Sequence, residues 1–215
     1  MPWFLGLSRA IPAVILALVI TFSADHSARL GLVTFGAFAV ASGLATAIVV
    51  ATRVAPGPVR LVVLCQAAVA LATGAAALAV LGGGYAYFVL VLSAYAAVGG
   101  FLELYLGVRS WRASSARPSA HVSSGPSSRP SAVARDWMFV GALSVALAIT
   151  VLLLPANFNQ PFSVEGVVGA VTASVALVGV FGAYLAIIGI FLTIAAFSLK
   201  WSATQPIKRS SPVEA

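Results

Sequence analysis

Charge is what this chain has least of. Only 8% of its 215 residues are charged, and 61% are hydrophobic, whereas a soluble domain carries about 25% charged residues. So small a polar stock cannot cover a water-facing surface, which excludes a soluble globule. Acids are scarcer still, with five Asp and Glu against twelve Lys and Arg. Cys65 is the one cysteine, so there is no internal disulfide and no CxxC metal or redox motif. Placed mid-span, it reads as a small core residue. The two histidines, His26 and His121, fall in a predicted turn and a predicted linker and cannot meet at one site. No GxSxG, Walker loop, HExxH or carboxylate pair occurs. The chain therefore reads as non-enzymatic, with no catalytic residues, no cofactor and no metal.

What is present is apolar length. Several runs reach the roughly 20 residues that cross a hydrocarbon core of about 30 Å. Spans are predicted at Trp3–Phe22, Leu30–Thr52, Val59–Leu81, Tyr85–Val108 and Trp137–Leu154, with a sixth inside Gly166–Leu199. The fifth stops at Pro155, which cannot continue a helical ladder without penalty. Domain boundaries follow: 1–108 as membrane hairpins one and two, 109–136 as a flexible cytoplasmic Ser/Pro/Arg linker, 137–201 as hairpin three, and 202–215 as a cytoplasmic tail.

A short phrase recurs in the even-numbered spans. It reads Phe35-Gly36-Ala37-Phe38…Gly43, then Leu92-Ser93-Ala94-Tyr95…Gly100, then Phe181-Gly182-Ala183-Tyr184…Gly189. A basic residue follows each copy, at Arg53, Arg109 and Lys200, while Arg9, Arg60 and Arg135 stand near the start of the odd spans. The expected fold is all-α and integral to the membrane, with six transmembrane helices as three repeated hairpins. Cleavage of a signal peptide would break that repeat. Copy spacing places the start of the true sixth span near Ser174 to Ala176. Gly166 to Ala173 then becomes an external helical stub or a loop on the membrane, unless the helix is strongly tilted.

Gly36 and Gly43, Ser93 and Gly100, and Gly182 and Gly189 are each two helical turns apart and share a face. Small residues there let helices approach closely in lipid, so these are read as helix-packing positions. Phe38, Tyr95 and Tyr184 should pack over them. Lys and Arg fall on one side of the scheme, with Arg29 alone on the other. This positive-inside bias predicts a plasma (inner) membrane protein with both termini cytoplasmic. Trp3, Trp111, Trp137 and Trp201 read as an aromatic belt at the cytoplasmic border. The excess charge is explained by lipid contact rather than nucleic acid.

Glu103 is the one acid well inside an apolar run and is the candidate functional residue. It either snorkels and pairs with a neighbouring arginine, such as Arg53 or Arg60, or couples to a proton or cation. Asp25 and His26 read as a solvated turn, and Asp136 and Glu165 as acids preceding helical runs.

The segments Arg9-Ala10-Ile11-Pro12-Ala13-Val14, Phe35 to Gly43, Gly141 to Pro155 and Phe181 to Lys200 resemble the HdeD-type acid-resistance membrane proteins, small six-helix proteins of repeated hairpins. The long Ser/Pro linker and the long fifth turn depart from that pattern. The resemblance implies an inner-membrane protein linked to acid or envelope stress and brings no catalytic residues. Two alternatives stand beside it: a small proton-coupled transporter or channel using Glu103, and an interaction subunit recruiting a partner through the linker. Expected partners are the bilayer and either a second copy or another membrane protein.

Overall fold

The computed structural model describes residues 3–115, 129–164 and 167–204. Six helices, α1 (Phe4–Phe22), α2 (Ala28–Arg53), α3 (Pro58–Ala79), α4 (Gly84–Ser115), α5 (Arg129–Leu153) and α6 (Ala173–Thr204), are accompanied by β1 (Asn159–Val164) and β2 (Val167–Thr172). All six helices are long and apolar enough to cross a membrane, and the chain is a multi-pass membrane protein. His121, Arg117, Glu165, Lys208 and Arg209 lie outside the described residues.

Local chemistry sets the helix ends. Asp25 accepts from the Ser27 backbone N–H at 2.8 Å and from its hydroxyl at 2.9 Å, and Ser27 then caps α2 by accepting from Leu30 N–H. Thus Asp25 shapes a turn, as its exposed position suggests. Pro58 occupies the first turn of α3, where its missing N–H costs nothing. Gly84 opens α4 at φ 69°, a left-handed angle that glycine adopts without steric penalty. α5 ends just before the Leu154–Pro155 pair, as expected.

Three boundaries differ from the sequence reading. α4 runs on to Ser115 and α5 begins at Arg129, so helix enters the presumed linker from both ends. The sixth helix starts at Ala173, close to the expected point. The residues before it are neither stub nor loop: β1 and β2 pair antiparallel, from Asn159 opposite Thr172 to Val164 opposite Val167. Valine-rich β2 suits a pleated backbone. Its pairing partner, with Pro161 in it, could not be read from a helical template.

Helices pack in a cyclic order. The most extensive contacts join α4 to α5, α2 to α3 and α6 to α1, while α1 meets α2 and α3 meets α4 less closely. The glycine faces lie at the extensive contacts. A Cβ added to Gly43 would sit 3.0 Å from Leu71 Cγ on α3, and one on Gly189 would sit 2.7 Å from Val14 Cγ2 on α1. One on Gly100 would sit 2.9 Å from Ser144 Cβ on α5. Gly36 likewise faces Leu78 and Gly182 faces Ile20. Ser93 is buried and returns its hydroxyl to Leu90 O.

The aromatic residues of the phrase do something else. Phe38, Tyr95 and Tyr184 do not lie over the glycines; they turn inward. Phe35, Phe38, Phe88, Tyr95 and Phe181 form a buried cluster with ring centroids 5.5–6.5 Å apart, mostly edge to face. Each such pair adds about 0.5–1.5 kcal/mol beyond area burial. The reason is geometric. Four residues of a helix turn one face toward the neighbouring helix, and the aromatic two residues beyond the glycine lies on a different face, toward the centre. The outer surface is apolar, with Phe22, Leu153 and Phe101 exposed. Cys65 is also exposed rather than in the core, on the outward side of α3.

Candidate functional site

Glu103 is completely buried. It does not snorkel and its partner is neither Arg53 nor Arg60. Arg9 of α1, whose side chain is 11% exposed, forms an ion pair through Nη1 with Glu103 Oε1. Arg9 therefore leaves the set of orientation charges to which its position near the chain start assigned it. A charge at this depth is tolerable only when paired and hydrogen-bonded.

The remaining helices complete the shell. Gln66 of α3 donates its Nε2 to the same Oε1 at 2.7 Å. Ser144 of α5 lies 3.4 Å from Oε2, 3.0 Å from its own Val140 O and 2.9 Å from the Tyr184 hydroxyl of α6. Serine has one proton. When that proton goes to Val140 or to Glu103, the Tyr184 O–H donates in the Ser144–Tyr184 bond, which either hydroxyl can donate. Thr46 of α2 sits near Ser8 of α1, with hydroxyls 3.4 Å apart. Tyr95 lies within electrostatic reach of both Arg9 and Glu103. The two carboxylate oxygens are thus unequal: Oε1 receives two donors, and Oε2 has the longer contact to Ser144.

The close α4·α5 approach makes this possible. Gly100 and Gly141 face each other so tightly that a Cβ on Gly141 would lie 2.8 Å from Gly100 O. That contact brings Ser144 within reach of Glu103, one turn further along α4. Two predicted packing glycines on α6 hold α1, which carries Arg9.

Above the pair lies a cavity of about 80 Å³. Arg9, Gln66 and Thr46 form its polar floor. Leu5, Val63, Val140 and Leu192 form apolar walls, and Trp3, Trp137 and Asp136 also line it. Its lining reaches Trp3 and Leu199, at the end of the bundle where Lys200 Nζ lies 5.1 Å over the Trp3 ring and Arg53 lies 5.4 Å over Phe4. Trp3 and Trp137 are therefore cavity residues. On the far side of the pair, the aromatic cluster fills the centre.

Sequence reasoning found Glu103 but missed Arg9, Gln66 and Ser144 as its partners, and Tyr184 behind Ser144. A signal existed for Gln66, the only amide side chain inside the third span. Ser144 carried none, since lone serines in apolar helices commonly bond their own backbone. No family model, no curated protein and no solved structure matches this chain.

Proposed function

We propose that this chain is a non-enzymatic, HdeD-like protein of the plasma (inner) membrane, built from three repeated helical hairpins, that supports tolerance of acid or envelope stress. The observation that carries it is the cyclic contact order, in which each glycine face of the phrase meets the first helix of the next hairpin. Counting back five residues from Val14, Leu71 and Val145, which face Gly189, Gly43 and Gly100, gives Arg9, Gln66 and Val140. All three line the one cavity. Such correspondence supports an internal repeat whose axis passes through the buried pair. Exposed Arg53, Arg109, Arg112, Arg135 and Lys200 lie at the terminal end of the bundle, which favours cytoplasmic termini. The ion pair gives acid a point of action: protonating Glu103 would leave Arg9 charged and unpaired in the core. Clean deletion should lower survival of an acid challenge, and Glu103→Gln should fail to restore it at equal membrane abundance. Unchanged survival on deletion would remove the reading.

One observation favours a second reading, proton-coupled transport. Glu103 is a fully buried carboxylate whose two partners Arg9 and Gln66 line a cavity, the setting in which an intramembrane acid serves a proton path. Liposomes carrying the protein and an internal proton-sensitive dye test it. Flux abolished by Glu103→Gln favours transport, and no flux under any imposed gradient rules it out.

A further inference from the structure

We propose that the cavity above Arg9 is a binding site for a short-chain monocarboxylic acid, taken in its undissociated form. The inference rests on the cavity alone and not on the reading above. Three observations carry it. First, the walls are aliphatic, with Leu5, Val63, Val140 and Leu192, which suits a hydrocarbon chain. Second, the floor presents a polar set suited to a carboxyl head. Arg9 turns toward the cavity as well as toward Glu103, and a guanidinium carries five N–H donors in a planar fork that matches a carboxyl group. Thr46 adds a hydroxyl that both donates and accepts. Third, the floor is electrically neutral, because Glu103 already balances Arg9.

That neutrality selects the protonation state of the guest. An anion would bring an unbalanced charge into a low-dielectric site, at a cost that buried ions rarely recover. Asp136 in the cavity lining adds repulsion against it. A cation would meet Arg9. A neutral acid has an O–H to donate, a carbonyl to accept the Arg9 fork, and no net charge to desolvate. Size sets chain length. The cavity, about 80 Å³, is roughly half the 150 Å³ void that holds the six carbons of benzene in an engineered apolar core, so an acid of about two to three carbons fits.

The test is saturable binding of radiolabelled propionic acid to the full chain in lipid nanodiscs, with protein-free discs as the partition control. Binding is expected at pH 5. Affinity expressed as total acid should fall about tenfold per pH unit above the acid's own pKa, which lies near the Glu side-chain value of about 4.3. Propanol, with the same chain and no carboxyl group, should compete at least about tenfold more weakly, since the missing carbonyl leaves a donor unserved. Val140→Phe and Ala195→Leu fill the cavity from α5 and α6, and each should abolish saturable binding with the near-UV circular dichroism retained. If one variant fails to fold, the other decides. Binding no greater than in protein-free discs, binding unaltered by the filling variant, or affinity independent of pH from 5 to 7 would each overturn the proposal.

Discussion

Replacing Glu103 by Gln keeps the size and one acceptor of the side chain but removes the charge that Arg9 faces. Glu103 is fully buried and cannot recruit water without rearrangement, and the Arg9 side chain, 11% exposed, meets only the polar floor of the cavity. Two effects compete in setting the cost. Loss of ordinary interhelical hydrogen bonds, here to Gln66 and Ser144, averages about 0.6 kcal/mol each within membranes. Leaving a buried charge without its partner costs about 3–5 kcal/mol. The second dominates, so Glu103→Gln should destabilise by about 3–5 kcal/mol, and Arg9→Met by a similar amount. The double change Arg9→Met with Glu103→Met removes both charges and places apolar atoms in the gap. It should cost far less than the sum of the two single changes and can equal the natural protein, because an ion pair exchanged for apolar packing is often neutral or stabilising. Reversible unfolding in mixed micelles at neutral pH, followed by tryptophan fluorescence, gives the double-mutant cycle. A coupling of about 3 kcal/mol or more is expected. Single changes costing under about 1 kcal/mol, or costs that simply add, would refute the claim that this pair is desolvated and mutually dependent.

Three further outcomes follow from the packing. Gly141→Val should cost about 1–3 kcal/mol in the same assay, because even a Cβ would lie 2.8 Å from the backbone of Gly100 and Leu104. Gly179→Ala meets nothing within 4 Å and should be neutral or stabilising by up to about 1 kcal/mol; equal costs at the two positions would contradict the close α4·α5 contact. Tyr85→Phe removes the 2.7 Å bond from its hydroxyl to Leu154 O, which ties the start of α4 to the end of α5, and should cost about 0.5–1.5 kcal/mol.

The sequence was most legible where one residue type has one physical consequence. Apolar run length located all six spans, and Pro155 marked the end of the fifth helix. Small residues at two-turn spacing marked close helix contacts, since few other reasons place glycine on one face of an apolar helix. Glu103 was visible because an acid inside an apolar run is expensive. It was least legible where the outcome depends on partners far apart in the chain. The strand pairing of Asn159–Val164 with Val167–Thr172 is hidden because the second strand opens a run that also suits a helix and the first lies in a turn. Cys65 and its neighbour Gln66 point to opposite environments, yet the α3 sequence is apolar on every side, so no moment of hydrophobicity told the faces apart.

By itself, then, the sequence determined that this is a multi-pass membrane protein of six helices, where those helices begin and end to within a few residues except at the α4–α5 linker, and which faces carry small residues. These are local consequences of chain composition and the bilayer's thickness. Only the tertiary structure decided what each face meets. It made Arg9 a core residue instead of a border charge, because α1 packs beside α6 at the far end of the chain and its arginine reaches Glu103, 94 positions away. It also decided that an Arg, a Gln and a Ser from three other helices converge on one carboxylate, with a Tyr from a fourth bonded to the Ser, since helices in lipid pair by close backbone approach and shared polar contacts, which sequence order alone does not specify.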